Sequence, residues 1–352
     1  MPLSGVINKI YRSKIVLGII VFSLVGIYLF FLGINVYRYH FSVPDQHPLF
    51  RADLEDIVDS TLSHYYVHTD GKKVEAVKHG LYANPPFDSD GIPLVDYKGN
   101  IGVQYYPITI AQYALDNWEL FLQTGEQGYQ ETFLRQSEWL VSNQEMGAWS
   151  HRYEVPYLGL RNPWVSAMAQ GQGISVLLRA YQLTQDERYL RSATEAFQLF
   201  KIPIEKKGVV CLENGSVWFE EYPNIEKPSH VLNGHMWAMF GLWDYYRVTN
   251  DDEAKQLFNR GVETLKKNLY KYDTGYWVLY DQAQKNFLVD QLYIDFQIDQ
   301  LHVIHAITGD TQIEHFAVQW ERYQKDKKNR YKIVIRSFVH KFALKLQKVL
   351  SQ

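Results

Sequence analysis

The sequence predicts a mainly α-helical fold. It reads as an α/α barrel, or incomplete toroid, of about four helical hairpins with short strand-like returns on one rim, preceded by an N-terminal transmembrane helix. Three observations carry this reading. A Thr-x-acid step occurs four times, at Thr124-Gly-Glu126, Thr184-Gln-Asp186, Thr249-Asn-Asp251 and Thr308-Gly-Asp310, about 60 residues apart. Apolar residues recur at helical spacing on both sides of every step. Three returns between hairpins repeat as well: Gly147-Ala-Trp149, Gly215-Ser-Val-Trp218 and Gly275-Tyr-Trp277. A two-helix unit at this period is the signature of a helical array or toroid. One hairpin cannot bury its apolar face alone, and stacked hairpins share a core.

In chain order, residues 1–14 carry Lys9, Arg12 and Lys14, and Ile15 to Ile34 then runs without a charge. Such a run can cross a bilayer as a helix. The basic residues ahead of it place the N-terminus in the cytoplasm and the rest of the chain in a secretory lumen (Golgi) or on the periplasmic or extracellular side. A cleaved signal peptide is the rival reading. Its apolar region should be shorter, and no small-x-small site follows cleanly, so an anchor over 15–36 is expected. Residues 41–104 lack the repeat. Turn signals such as Asn84-Pro-Pro-Phe-Asp-Ser-Asp-Gly91 predict a stem of loops and a few strands there.

The barrel is expected over 105–324. Its first helices fall at Ile108 to Leu122, Ser166 to Leu183, Leu232 to Val248 and Tyr293 to Ile307. Their partners fall at Tyr129 to Val141, Tyr189 to Phe200, Ala254 to Tyr270 and His315 to Tyr323. Gly or Asn stops the first helix, and Asp or Glu caps the second. Residues 325–352 hold nine Lys/Arg and one acidic residue against a total charge of −3, so the remainder is strongly acidic. This basic amphipathic helix either lies on an anionic membrane or acidic polymer, or closes the domain with a solvated basic face.

Aromatic residues make up 15% of the chain, with 26 Tyr, as in sugar-binding clefts. The single Cys211 excludes an intrachain disulfide. No Cys/His cluster has zinc spacing and no phosphate-binding glycine loop occurs, so no metal, nucleotide cofactor or nucleic-acid partner is expected. The returns bring polar groups to one rim: Arg152, Tyr153 and Glu154, then Glu220, Glu221 and Tyr222, then Tyr280 and Asp281. The helix starts add Trp164, His230, Asn233, His235 and Tyr293, and Tyr105 and Tyr106 open the first hairpin. Singly, a tyrosine at a helix start is usually packed and a Glu-Glu pair is usually solvated. Convergence at one concave end is what marks this set as carbohydrate chemistry by proton transfer.

Trp164-Val-Ser-Ala-Met-Ala-Gln-Gly-Gln-Gly-Ile174, Trp218-Phe-Glu-Glu-Tyr-Pro223, Val231-Leu-Asn-Gly234, Tyr272-Asp-Thr-Gly275 and Tyr105-Tyr-Pro-Ile-Thr-Ile-Ala-Gln-Tyr113 closely resemble the D-glucuronyl C5-epimerases. These are membrane-anchored enzymes that turn D-glucuronate into L-iduronate within heparan-type polysaccharides. The resemblance covers about residues 100 to 324 and implies an α/α-barrel catalytic domain. It implies two catalytic tyrosines, carried over to Tyr280 and Tyr293, and a glutamate with its neighbouring tyrosine, Glu221 and Tyr222. Two departures stand out. Tyr293 follows Asp290-Gln-Leu292, where relatives carry basic and aromatic residues. Animal members also insert a β-sandwich where only a short stretch separates Tyr113 from Trp139.

Inverting C5 of a hexuronate removes a proton beside a carboxylate and returns one to the opposite face. The enediolate that develops needs a cation or strong donors. Arg152, Arg161 and Arg179 are the cationic candidates, since a guanidinium pairs with a carboxylate through two hydrogen bonds. Glu220, Trp164, Asn233, His235, Tyr105 and Tyr106 complete the expected binding set. The expected partners are an acidic polysaccharide and a membrane, with a homodimer left open. A lyase or hydrolase, the latter using Glu221 with Asp281, and a non-catalytic glycan-binding protein are the rival readings.

Overall fold

The computed structural model describes residues 26, 50–71, 74, 86–97, 99–284 and 287–336. The expected anchor over 15–36, Gly26 apart, and the basic tail beyond residue 336 lie outside them. Among the described residues no helix is long and apolar enough to cross a membrane.

Two short antiparallel ribbons come first. They are β1 (Arg51–Ala52) with β2 (Val67–His68), and β3 (Leu94–Asp96) with β4 (Val103–Tyr105). The four hairpins follow. They are α1 (Pro107–Thr124) with α2 (Gln127–Ser142), α3 (Ala167–Thr184) with α4 (Glu187–Gln198), α5 (Leu232–Thr249) with α6 (Asp252–Asn268), and α7 (Gln291–Thr308) with α8 (Thr311–Lys325). Between hairpins lie β5 (Ser150–His151) paired with β6 (Trp164–Val165), and β7 (Val210–Glu213) paired with β8 (Ser216–Phe219).

The Thr-x-acid step works the same way each time. The threonine hydroxyl donates to the carbonyl four residues back: Leu120, Ala180, Tyr245 or Ile304. It also accepts the backbone N–H of the acid two residues on, at 3.2–3.3 Å. The middle residue is left-handed at Gly125, Gln185, Asn250 and Gly309. This conformation ends a helix with its last carbonyls satisfied. Asp186, Asp251 and Asp310 then cap the next helix through their side chains, while Glu126 does not.

The first helix of each hairpin is the inner one. α3 and α5 are buried on nearly every side, whereas α4 and α6 are amphipathic. Gly171 and Gly241 let α3 and α5 touch backbone to backbone. A Cβ on Gly241 would lie 2.3 Å from the Gly171 carbonyl oxygen. Trp149, Trp218 and Trp277, each at most 2% exposed, sit in the returns that lead into the inner helices. The second and third returns also tie back to the start of the preceding inner helix. Ala167 N donates to Glu220 O at 2.9 Å, and Leu232 N donates to Tyr280 O at 3.3 Å. The returns therefore share the rim at the inner-helix N-termini.

The opposite mouth is closed by residues 50–70. Side chains from the C-terminal halves of α1, α3 and α5 satisfy the backbone of this plug. Trp118 and Trp243 donate their indole N–H to Ser63 O and Ile57 O. Arg247 reaches Asp59 O and Thr61 O, and Gln182 both accepts from Leu62 N and donates to Ser60 O. Residues 327–336 form the helical start of the basic tail. Ile333 is buried there, Lys332 stands over the Tyr276 ring and Arg336 bonds the Tyr276 hydroxyl. This part of the tail packs on the third return.

Candidate active site

β8 ends at Phe219 and the chain bends at Glu221, which leaves the two glutamates in different surroundings. Glu220 points into the wall. It is fully buried, and its carboxylate accepts from Ser229 Oγ at 3.3 Å and His230 N at 3.1 Å and bonds His230 Nδ1. His230 stacks on Trp218 and carries the chain of contacts on to Glu213. Burial pushes that imidazole down, but the two carboxylates outweigh it and hold its pKa above the usual value.

Glu221 points the other way, into the rim. It is 4% exposed and lies over Gly234 in the first turn of α5, and its Oε2 meets no hydrogen-bond partner. A Cβ at residue 234 would stand 2.4 Å from that oxygen, so only glycine admits the carboxyl there. Burial lifts Glu221 to about 7; Glu220 and Asp281 add to the rise and the Tyr222 hydroxyl opposes it. The Tyr222 phenol lies beside Glu221, Tyr106 and Tyr280 and feels the charge of each. Burial and the Glu221 charge push all three phenols well above their usual pKa, so they remain protonated donors. Tyr293 meets Tyr280 edge to face, with ring centroids 5.5 Å apart. One position before Gly234, the buried Asn233 Oδ1 also lacks a partner. The structure thus brings Glu221, Tyr222, Tyr280, Tyr293, Tyr106 and Asn233 together.

Beside this cluster lies a cavity of about 1180 Å³ whose walls include Trp164, Arg161, Lys206, Lys207 and Pro223. Glu221, Tyr280 and Tyr293 are not in its lining. The connection runs through Trp164, whose ring lies 6.1 Å from that of Tyr222.

Several expected binding residues sit elsewhere. Arg179 does not reach the rim. It is fully buried, pairs with Asp244 at 2.8 Å and donates to Ser63 O and His64 O of the plug. His235 is equally buried. Its Nδ1 accepts from Phe219 N and its Nε2 faces Gly261 O, so it holds β8 against α6 as a neutral ring, with burial pushing its pKa down to about 3. Glu220 is a wall residue rather than a sugar contact. Arg152 is exposed and pairs with Glu145, and Tyr105 donates to Asp88 at 2.8 Å. Both line a separate groove with Trp139. Asp281 is tied to its own loop by Gln284 N. The sequence reading missed Tyr97, whose hydroxyl accepts from Tyr153 at 2.9 Å behind Tyr106. Nothing in the local pattern around Tyr97 marks it, because only the β3–β4 ribbon brings it to the rim.

Among the described residues two groups could hold an ion: Asp53 with His64 and His68, and Cys211 with Glu220 and His230. The second fits poorly. Burial lifts the Cys211 thiol to about 12, and Glu220 and His230 already occupy each other.

Comparison with known proteins follows the same segment. The family model described as D-glucuronyl C5-epimerase C-terminus matches residues 142–322. The chain is 41% identical over 170 residues to the D-glucuronyl C5-epimerase of Caenorhabditis elegans, covering 44% of this chain and 27% of that protein. It is 36% identical over 137 residues to an uncharacterized protein of Methanocaldococcus jannaschii, covering 38% of this chain and 44% of that protein. It therefore spans less than half the length of either relative. The solved GH76A alpha-1,6-mannanase from a Salegentibacter species shares 16% identity at a TM-score of 0.47, over 72% of this chain and 70% of that one.

Proposed function

From the premise that this chain belongs to the D-glucuronyl C5-epimerase family, we propose that its rim cluster inverts C5 of D-glucuronate to L-iduronate in an acidic polysaccharide. One observation carries the reading. Glu221 is a buried carboxyl with a pKa near neutrality and an unpartnered oxygen, and protonated phenols surround it.

The ionised Glu221 takes the C5 proton, and the bonding pair moves into the C5–C6 enediolate. The phenols of Tyr106 and Tyr222 and the Asn233 amide supply neutral donors to that charge. Tyr280 or Tyr293 delivers its hydroxyl proton to the opposite face of C5. Tyr222, in reach of both Glu221 and Tyr280, passes the captured proton back to the phenolate and resets the site. Trp164 and the cavity beside it suit neighbouring sugars, with Arg161, Lys206 and Lys207 as their counter-charges. Incubating candidate glucuronans with the protein in deuterated water tests this. Proton NMR should show deuterium at C5 with intact chains. Chain cleavage with a new double bond means a lyase instead, and cleavage without one means a hydrolase.

We also propose that residues 15–36 anchor the chain with the barrel on the lumenal or periplasmic side. Carbonate extraction should leave the protein in membranes, and a mature N-terminus beyond residue 34 would overturn the anchor.

A further inference from the structure

We infer that Asp53, His64 and His68 form a site for a divalent transition-metal ion of the zinc class, placed in the plug and separate from the Glu221 cluster. Asp53 follows β1, His68 ends β2 and His64 lies one turn of chain before it. One ligand atom from each lies within 4.8 Å of the others. Zinc bonds of about 2.0–2.2 Å put ligand atoms roughly 3.5 Å apart, so small side-chain rotations close the set.

Three details point to an ion rather than to packing alone. His68 is 1% exposed in its side chain, and its Nε2 has no hydrogen-bond partner. That nitrogen stands 3.8 Å from Asp53 Oδ2, too far for a hydrogen bond but suited to two ligands of one metal. A carboxylate oxygen also stands near Nδ1 of each imidazole, hydrogen-bonded at His64 and beside the ring without a hydrogen bond at His68. His64 Nδ1 lies 2.6 Å from Glu119 Oε2, and Tyr65 N fixes the second oxygen of that buried carboxylate at 2.6 Å. His68 Nδ1 lies 3.3 Å from Asp70 Oδ1. A carboxylate behind a ligating histidine sets its tautomer and strengthens it as a donor. Two imidazoles with one carboxylate select zinc, cobalt, manganese or iron over calcium and magnesium, which prefer oxygen alone. His64, with 32% of its side chain exposed, gives the ion a way in.

The competing arrangement is metal-free. In it protonated His64 pairs with Glu119, Asp70 N donates to His68 Nδ1 at 3.2 Å, and Arg51 stands 3.8 Å from Asp53. The metal arrangement adds a link from Asp53 to the two histidines, while Glu119 ties His64 to α1 in either case.

The test uses the full chain, stripped with a chelator, dialysed and titrated with Zn²⁺ alone. One zinc per chain should survive dialysis and raise the melting temperature. Co²⁺ in its place should give the visible absorption of a low-coordinate nitrogen–oxygen site. Losing a supporting residue typically weakens a metal site about 10- to 100-fold, so His68→Asn and Asp53→Asn should each weaken zinc binding by about 100-fold or more. His315→Asn, on the exposed face of α8, should leave it unchanged. If the buried His68→Asn variant does not fold, His64→Asn at the exposed edge makes the same comparison. A native chain that retains no zinc overturns the site, and so does zinc binding that persists in all three ligand variants. Either result would assign His68 to a water in the adjoining cavity of about 20 Å³.

Discussion

Glu220 and Glu221 are chemically identical neighbours, and the bend that follows β8 gives them opposite fates. The pair was legible in the sequence as two carboxylates on a rim. The family resemblance singled out Glu221, but the different surroundings of the two were not legible, because a bend after a strand of four residues sets them. Glu221→Gln should lower turnover by about 10²- to 10⁴-fold, the range for losing a general base. Tyr280→Phe should fall in the same range with substrate binding retained. Glu220→Gln should act differently. It leaves His230 buried with a weakened partner, so melting temperature should drop more than kcat per folded molecule. The pH dependence follows from Glu221. Its base form appears as pH rises through about 7, so kcat/KM should climb about tenfold per unit below that value and level off above it. Its folded pKa lies above the ordinary 4.5. Folding therefore favours the protonated form, and that contribution is complete below about 4.5 and lost as pH rises through about 7. A kcat/KM profile flat between pH 5 and 8 would remove Glu221 from the base role.

The hairpins were legible because their signals are local. A threonine, a left-handed residue and a capping acid lie within three positions and need no distant partner to be recognised. The close approaches between helices were less so, since a glycine's neighbour is invisible in one dimension. Gly234 and Gly241 both lie in α5 and separate two effects. Gly234→Ala gains about 1 kcal/mol of helix propensity but sets its methyl 2.4 Å from the Glu221 carboxyl oxygen and 2.7 Å from the Glu221 Cβ, so the segment carrying Glu221 must move. The protein should stay folded, with melting temperature lowered less than by a helix–helix clash, and lose most of its turnover. Gly241→Ala puts its methyl against the Gly171 backbone, which cannot swing. Overpacking of that kind costs about 1–3 kcal/mol or more, so Gly241→Ala should lower melting temperature and leave kcat per folded molecule nearly intact. Equal activity in native and Gly234→Ala protein would show that the carboxyl position over α5 does not matter.

At the scale of the molecule the barrel has two dissimilar mouths, one carrying the Glu221–tyrosine cluster and one sealed by residues 50–70. The seal was hidden from sequence reasoning because turn signals describe how a segment bends, not what it fills. Arg179 shows the consequence. On type alone it is a fit partner for a uronate carboxylate, yet it lies on the third turn of α3 or beyond, towards the sealed mouth, with its charge answered by Asp244. A sugar-binding arginine and a plug anchor respond differently to mutation. Arg179→Met removes one member of a fully buried ion pair and leaves the Asp244 charge uncompensated, which typically costs about 3–5 kcal/mol. Ser63 and His64 carbonyls lose donors at the same time, so the plug should loosen and chemical denaturation should shift to lower midpoint. Replacing both partners, as Arg179→Met with Asp244→Leu, removes the orphaned charge, and apolar replacements of buried pairs are often neutral or better. The double variant should therefore recover much of the stability lost by the single one. Tyr66 and Arg247, which also contact Asp244, limit that recovery. KM for the polysaccharide should stay within about twofold in both variants, since neither side chain nears the rim. A large rise in KM with unchanged stability would return Arg179 to the substrate and break the division of the barrel into a working mouth and a sealed one.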